Sequence, residues 1–239
     1  MGKVKIKRKS TLIDMTAMSD VTVLLLTFFM LTSTFLQKEP VTVLTPSSVS
    51  EQKVPTANLA SILVAPNGKV FISVAGEADP NVAGGEWATE PIRKAILENA
   101  VGEWNRLHPS QKVELTQNEV TAFTKINMFG VPFQKLKEFL DLPQAKQDEF
   151  MSNIESNAVG IPINDNRDLE KPNEFQIWMR AIYSSGSDNL QSALKKGEGI
   201  AVKADKGTDY NTVHDVLDNL QTLKMNRFSI MTALKTSEE

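Results

Sequence analysis

The chain is organised around one apolar stretch, which reads IDMTAMSDVTVLLLTFFMLTSTFL from Ile13 to Leu36. No charged residue occurs between Asp20 and Lys38. At a rise of about 1.5 Å per residue, a helix over residues 21–36 covers only about 24 Å of a hydrocarbon core that is roughly 30 Å thick. We therefore predict one transmembrane helix that begins before Asp20 and includes its carboxylate in the span.

Asp20 places a titratable carboxyl group inside this predicted helix. A charged aspartate near the middle of a bilayer costs about 2.5–3.5 kcal/mol on insertion scales, so Asp20 should face protein or water rather than lipid. Burial disfavours the ionised form of a carboxyl, and we expect Asp20 to take up and release a proton. Thr27 and Thr34 follow Asp20 at intervals of seven residues and share its helix stripe. The pattern predicts a helix that packs inside a larger assembly.

Other interpretations of the stretch stay open. Aspartate is a common N-cap, and Ser19-Asp20 before an apolar run also fits a helix that starts at the membrane interface of a static, membrane-anchored binding module. The Thr27 hydroxyl also fits a simple bond to a carbonyl of its own helix. A secreted hydrolase with a cleaved leader is a third alternative. Asp14, Asp20 and the lack of a small-residue cleavage site favour an uncleaved anchor instead.

Basic residues are concentrated before the apolar stretch. They are Lys3, Lys5, Lys7, Arg8 and Lys9. The residues from Gln37 onward contain 21 basic and 27 acidic residues. The positive-inside rule predicts that the amino terminus is cytoplasmic and that the larger, acidic part lies on the opposite side. Five positive charges beside a membrane span are explained by topology and lipid headgroups, so we predict no nucleic-acid partner.

The sequence offers little that is typical of an enzyme. It has no cysteine, which excludes disulfides, thiol catalysis and cysteine metal sites. His108 and His214 are the only histidines, and they lack the spacing of a zinc-binding helix. Asp205 follows an apolar run and is predicted to cap the end of a strand rather than to act in catalysis. We predict no enzymatic activity, no metal and no cofactor.

Composition divides the chain into four parts. We predict a basic cytoplasmic tail, a transmembrane helix, an extended linker and a folded external domain over residues 1–12, 13–36, 37–58 and 59–239, respectively. Three prolines indicate that the linker is extended. Its strand-like segment is expected to bind a partner, by pairing with another chain or with an exposed sheet edge. The residues assigned to this contact are Val41, Val43, Leu44 and Pro46.

The folded domain is predicted to be α+β, with a parallel or mixed sheet covered by helices. Two apolar runs, 59–65 and 69–75, flank Pro66-Asn67-Gly68 and predict a β-hairpin. Apolar periodicity and breakers then predict helices over 89–107, 119–129, 133–142, 173–184 and 210–224. Strands are predicted over 199–204 and 227–234, so the last unit reads strand, helix, strand.

The opening stretch resembles the ExbD/TolR family of bacterial envelope motor subunits. In that family a pattern of the type N-x-T-P-x-x-D introduces the membrane helix. Thr16 and Asp20 match this pattern, whereas Asp14 and Ala17 replace its asparagine and proline. An aspartate in such a helix is rare, which makes the motif fairly specific.

The end of the chain is also similar to this family. The run from Ile200 to Asp205, followed by a helix and a strand, looks like the family's carboxyl-terminal signature. The resemblance covers about residues 1–75 and 199–235. Residues 110–198 are therefore interpreted as an insertion that enlarges the external domain.

The resemblance implies a partnership and a function. In the family, two copies of this subunit sit inside a pentameric ring of a polytopic ExbB-like protein. It implies that Asp20 is the proton carrier, with Thr16, Thr27 and Thr34 in the proton path or in helix packing. It implies a single-pass protein of the bacterial inner membrane, whose periplasmic domain engages a TonB-like or TolA-like transducer, or peptidoglycan. Energised import of nutrients across the outer membrane is the favoured function, and a TolR-like role in envelope integrity is the alternative.

Overall fold

The computed structural model describes residues 15–32, 39–48, 55, 57–76, 89–185 and 188–234. The chain divides into two compact units, Met1–Gln37 and Lys38–Glu239. The first unit contains one described helix, and the second contains the sheets and the other helices.

The helix of the first unit, α1, spans Met15–Thr32. It begins before Asp20, as the length argument predicts. Among the residues that the structure describes, no helix is both long enough and apolar enough to cross a membrane. The outer residues of the predicted 13–36 span, namely 13–14 and 33–36, lie outside the described residues.

The second unit is built on a mixed five-stranded sheet. Its strands, in spatial order, are β4 (Met128–Phe129), β3 (Val70–Ala75), β2 (Leu59–Val64), β5 (Ile200–Ala204) and β6 (Ser229–Ile230). The pairs β4–β3 and β3–β2 are antiparallel, whereas β2–β5 and β5–β6 are parallel. A separate parallel pair joins β1 (Ser47–Ser48) to β7 (Ala233–Leu234). The sheet is therefore mixed, which is one of the two arrangements that the sequence predicts.

The β2–β3 hairpin forms where the sequence predicts it. Gly68 adopts a φ of 78°, which a residue with a side chain rarely adopts, and its N–H donates to the Ala65 carbonyl at 2.9 Å. The Asn67 side chain accepts the Lys69 N–H at 3.2 Å. Nearly all residues of both strands are buried, including neighbours that point to opposite faces. Both faces of the hairpin are therefore covered.

Seven helices are described in the second unit. They are α2 (Thr89–Leu107), α3 (Gln117–Thr124), α4 (Phe133–Leu140), α5 (Gln144–Ser152), α6 (Glu174–Ser185), α7 (Asp188–Lys196) and α8 (Tyr210–Thr222). The predicted helices over 89–107, 133–142, 173–184 and 210–224 are confirmed within a few residues. The sequence analysis did not predict α5 and α7, whose buried residues are few.

Two predicted elements are wrong. The predicted helix 119–129 ends at Thr124, because residues 128–129 leave the helix to pair with β3 as β4. The predicted strand 227–234 is two short strands, since β6 pairs with β5 and β7 pairs with β1. In both cases a partner distant in sequence decides the backbone conformation.

Residues 110–198 share one core with the hairpin. Trp178 of α6 is fully buried and stacks on Phe133 of α4, with ring centroids 4.9 Å apart. Phe129 of β4 lies 4.6 Å from the same indole ring. Ile161 forms a bridge to Val70 of the hairpin. This region is therefore part of the folded unit, and its origin as an insertion stays a prediction.

Candidate functional site

Asp20 lies inside α1. The helix begins five residues earlier, at Met15, so Asp20 is not the N-cap of the described helix. The alternative in which Ser19-Asp20 starts the helix is therefore wrong. Thr16 precedes Asp20 by one helical turn, and both side chains are exposed to the surroundings of α1. Together with Ser19 and Val23 they line one shallow depression on the helix surface.

Three threonine hydroxyls of α1 donate hydrogen bonds to carbonyls of their own helix. Thr22 donates to the Met18 carbonyl at 2.8 Å, Thr27 to Leu24 at 2.9 Å, and Thr32 to Phe28 at 2.8 Å. A hydroxyl that is satisfied in this way can enter apolar surroundings at little cost. Thr34, the other predicted stripe residue, lies outside the described residues.

The rest of the α1 surface is apolar. Its large apolar side chains are exposed by between 49% and 87% in this structure. They are Met18, Val21, Val23, Leu24, Leu25, Leu26, Phe28, Phe29, Met30 and Leu31. They lie on all sides of the helix, which is typical of a helix that is buried in apolar surroundings. Asp20 is therefore the one carboxylate of a described helix whose other exposed residues are apolar or hydroxyl-bearing.

The linker segment lies against its own folded unit. Val43 is 8% exposed and belongs to the core. The Leu44 N–H donates to Asp205 Oδ2 at 2.7 Å, and the Leu44 carbonyl accepts the Lys206 N–H at 2.8 Å. The strand of this region is β1 at residues 47–48, rather than the predicted strand-like run 41–44. Of the residues assigned to a partner, Leu44 and Pro46 are exposed.

Asp205 has a structural role. Its Oδ2 accepts the Leu44 N–H, and its Oδ1 accepts the Gly207 N–H at 2.7 Å. The carboxylate thus joins the end of β5 to the linker and to the following turn. The prediction that Asp205 caps a strand end is confirmed.

Buried polar groups of the second unit were not predicted. Arg93 of α2 donates to the carbonyls of Val74 and Thr124, and burial lowers its pKa to about 10, partly offset by the charge of Glu90. Glu174 of α6 accepts the Phe133 N–H at 2.9 Å and so caps α4. Burial raises the pKa of Glu174 to about 7, although the Phe133 hydrogen bond opposes this shift.

Glu119, in the first turn of α3, and Asp141, directly after α4, share a hydrogen bond between their carboxyl groups. Burial of Glu119 opposes its ionisation, but hydrogen bonds from Thr116 hold its pKa below the ordinary value. The hydrogen bond with Glu119 raises the pKa of Asp141. The spacing of Thr116 and Glu119 is a local signal, since the two residues form the capping box of α3. The contact of Glu119 with Asp141 and the contact of Glu174 with Phe133 have no such signal, because the partners come from different helices.

The two histidines lie at different helices, His108 at α2 and His214 on α8. His108 directly follows α2 and stacks on Trp104, with ring centroids 3.9 Å apart. His214 is on the surface of α8, where its Nδ1 lies 3.4 Å from Asp218. Within the described ranges, no three His, Cys, Asp or Glu side chains are grouped so that they could hold a metal ion.

The chain thus combines an apolar helix that contains a carboxylate with an α+β unit. A comparison with protein families matches residues 7–235 to the family described as "Biopolymer transport protein ExbD/TolR". The chain belongs to this family, as the resemblance of its opening stretch predicts. Neither the curated proteins nor the solved structures that were compared gave a match.

Family membership establishes the general character of the protein. ExbD/TolR proteins are accessory proteins of transport in the inner membrane rather than enzymes. They generally work with ExbB or TolQ and with TonB or TolA. The matched range also includes residues 110–198, which the resemblance alone did not cover.

Proposed function

We propose that this protein is a subunit of a proton-motive-force-driven motor of the ExbB–ExbD type. In this proposal residues 13–36 anchor the chain in the inner membrane, the basic tail 1–12 is cytoplasmic, and the folded unit is periplasmic. The motor energises a TonB-like transducer for import of nutrients across the outer membrane. The observation that carries the proposal is the place of Asp20 inside an otherwise apolar helix of an ExbD/TolR protein.

Asp20 is the proton carrier in this proposal. A carboxylate at membrane depth is tolerated where it faces protein or a water-filled cavity. We propose that two copies of the chain present Asp20 to the interior of a pentameric ExbB-like ring. Each protonation changes the charge on the helix by one unit, which shifts the balance between two arrangements of helix and ring. Thr16, Thr27 and Thr34 line the proton path or the helix contact.

The folded unit passes the motion to the transducer. Val41, Val43, Leu44 and Pro46 are the proposed contact in the linker. Leu44 and Pro46 are exposed and can be reached directly, whereas Val43 must first leave the core. Because Asp205 holds the Leu44 backbone, release of this segment requires that hydrogen bond to break.

The proposal is tested by measuring nutrient import in cells whose uptake depends on this protein. Uptake of an iron chelate or cobalamin is measured with wild type, Asp20→Asn and Asp20→Glu. We expect Asp20→Asn to abolish energy-dependent uptake, because it removes the titratable group and keeps the size. Asp20→Glu retains a carboxyl and should retain part of the uptake. Membrane level and co-purification with the ExbB-like partner are measured in the same strains.

The outcomes separate the proposal from its alternatives. Full uptake by Asp20→Asn at normal membrane level would contradict the proton-driven import motor. The family description also includes TolR, so the same strains are tested for sensitivity to detergent. Loss of envelope integrity with normal uptake would indicate a TolR-like role. Normal behaviour in both assays would indicate a static, membrane-anchored binding module.

A further inference from the structure

A groove of about 720 Å³ lies where the carboxyl-terminal ends of α6, α7 and α8 meet. We call it the basic groove. Its lining residues that matter here are Arg180, Tyr183, Leu194, Lys195, Lys224, Met225 and Arg227, and Glu103 of α2 lies at its edge. None of these side chains has a role in the proposed proton transfer.

The charge in the basic groove is mainly positive. Lys195, Lys224 and Arg227 are exposed, and none of them forms an ion pair with another described residue. Arg180 is already held by Glu103, with 2.9 Å between Nη1 and Oε1. The groove therefore offers three cations that a ligand with negative charge can contact.

The groove also has an apolar floor. Leu194 and Met225 are 4% and 7% exposed, and the Tyr183 ring stands beside them, 37% exposed. Arg227 lies at the rim, close against the Gly197 backbone, where a Cβ at Gly197 would lie only 2.2 Å from the Cβ of Arg227. Its guanidinium donates to the Lys196 carbonyl at 3.5 Å. Cations thus stand next to an apolar surface, and both kinds of group are available to one ligand.

Lys224 occupies a position that favours glycine. Its φ is 62°, in the left-handed region. Its N–H donates to the Gln221 carbonyl at 2.8 Å, and the Met225 N–H donates to Leu220 at 2.9 Å. These two bonds form a Schellman motif, in which the left-handed residue is usually glycine. A lysine at this position strains the backbone, and such strain is often found at functional sites.

The helix ends explain part of this charge. Cations are stabilised near the carboxyl end of a helix, and both α7 and α8 end at the groove. That effect accounts for Lys195 on the last turn of α7. It does not require a lysine in the left-handed position, because Gln221 and Thr222 in the last turn of α8 could carry the charge without strain. It also does not explain the tyrosine and the apolar floor.

We propose that the basic groove binds an acidic segment of a partner protein. Carboxylates of the segment contact Lys195, Lys224 and Arg227, and an apolar side chain between them lies on Leu194 and Met225. A protein segment fits better than a cell-wall fragment, since the latter carries carboxylates but no large apolar side chain for the floor. This proposal rests on the proposed function, in which the folded unit engages a partner.

The experiment measures binding of a defined probe to the full chain in nanodiscs. The probe is a fluorescein-labelled twelve-residue peptide of glutamate and leucine, and its glutamine–leucine analogue is the control peptide. Fluorescence anisotropy is recorded for wild type and for the double variant Lys195→Gln, Lys224→Gly. The matched control is Lys112→Gln, Lys146→Gln, which removes the same charge from exposed positions outside the groove.

We expect the groove double variant to bind the acidic peptide about tenfold more weakly, and the control variant to bind within twofold of wild type. The glutamine–leucine peptide should bind weakly to all of them. Lys224→Gly alone should raise the melting temperature by about 2–4 °C while it weakens binding, because glycine relieves the left-handed strain. A loss of affinity in a more stable protein cannot be due to unfolding.

Three results would overturn the proposal. These are no binding of the acidic peptide, equal loss of affinity in both double variants, or selective binding of an anionic muropeptide to the same lysines. The proposed function is judged separately, because peptide binding does not require Asp20. If the groove proposal fails and Asp20→Asn still abolishes uptake, the motor function stands. If Asp20→Asn is silent and the peptide binds, the chain is a binding module.

Discussion

Helix α1 and the folded unit differ in whether their large apolar side chains are buried within the unit itself. The folded unit buries most of its apolar residues in one core, and its buried Arg93 and partly buried Glu174 have hydrogen-bond partners within the same unit. In α1, three threonine hydroxyls bond within the helix, and the large apolar side chains remain exposed. The folded unit thus covers most of its own apolar side chains, whereas those of α1 are not covered by the residues that the structure describes. A carboxylate in α1 therefore depends on what surrounds the helix, and this is the physical basis of the proposed proton site.

The largest effect on the folded unit is expected from its central aromatic residue. Trp178→Ala should lower the free energy of unfolding by about 3–5 kcal/mol, because it opens a cavity between Phe133 and Phe129. Chemical denaturation of the full chain in detergent, followed by circular dichroism, measures the loss. Tyr210→Ala, at a side chain that is 73% exposed, is the control. A loss below 1 kcal/mol would show that the core is not centred on this residue.

Arg93 tests whether the buried charge stabilises the unit by its hydrogen bonds. Arg93→Met keeps most of the volume but leaves the Val74 and Thr124 carbonyls without their donor. We expect the free energy of unfolding to fall by about 2–4 kcal/mol. Arg106→Met, at a guanidinium that is 68% exposed, should change it by less than about 0.5 kcal/mol. Equal effects of the two variants would contradict this role.

Glu174 makes the stability of the unit depend on pH. Burial raises its pKa from the ordinary value of 4.5 to about 7, so the folded state binds its proton more tightly than the unfolded state. Protonated Glu174 therefore contributes about 2–3 kcal/mol to the free energy of unfolding. This contribution is complete below about pH 4.5 and is lost as the pH rises through about 7.

Glu174→Gln keeps an acceptor for Phe133 and removes the charge. It should therefore stabilise the unit at pH 8 relative to wild type and show little difference at pH 4. Denaturation at a series of pH values gives the difference curve between the two proteins, in which other titrating groups cancel. A difference that does not vary between pH 4 and 8 would show that Glu174 does not titrate in this range.

The smallest of these effects is expected at the linker. Asp205→Ala removes the acceptor of the Leu44 and Gly207 N–H groups and should cost about 1–2 kcal/mol. Since the linker is released, protease cleavage near residues 41–46 should become faster than in wild type. Asp209→Ala, at an exposed position before α8, is the comparison. Unchanged cleavage would show that Asp205 does not hold the linker.

The sequence predicts those elements that short-range signals define. Asn67-Gly68 between two apolar runs defines the hairpin, and the breakers around α2 define its bounds. Prediction from the sequence fails where a partner distant in sequence decides the backbone conformation, as where β4 pairs with β3 and β7 pairs with β1. Asp20 could be predicted as a candidate site because a carboxylate within an apolar run can be recognised from the sequence alone.

The remaining polar sites depend on long-range contacts. Glu174 caps a helix that begins 41 residues earlier, and Asp205 binds a backbone N–H that is 161 residues away. The basic groove combines the ends of three helices, and neither the left-handed φ of Lys224 nor its neighbours can be predicted from local patterns. These sites could be identified only from the folded structure.

The central claim is that Asp20 carries a proton in apolar surroundings, and carbodiimide labelling tests it most directly. Dicyclohexylcarbodiimide reacts with protonated carboxyls in apolar environments, and mass spectrometry locates the adduct. In native membranes that contain the ExbB-like partner, we predict an adduct on Asp20, which Asp20→Asn abolishes. If Asp20 in the assembled complex stays unmodified while other carboxyls of the chain react, the account of Asp20 as the proton carrier is contradicted.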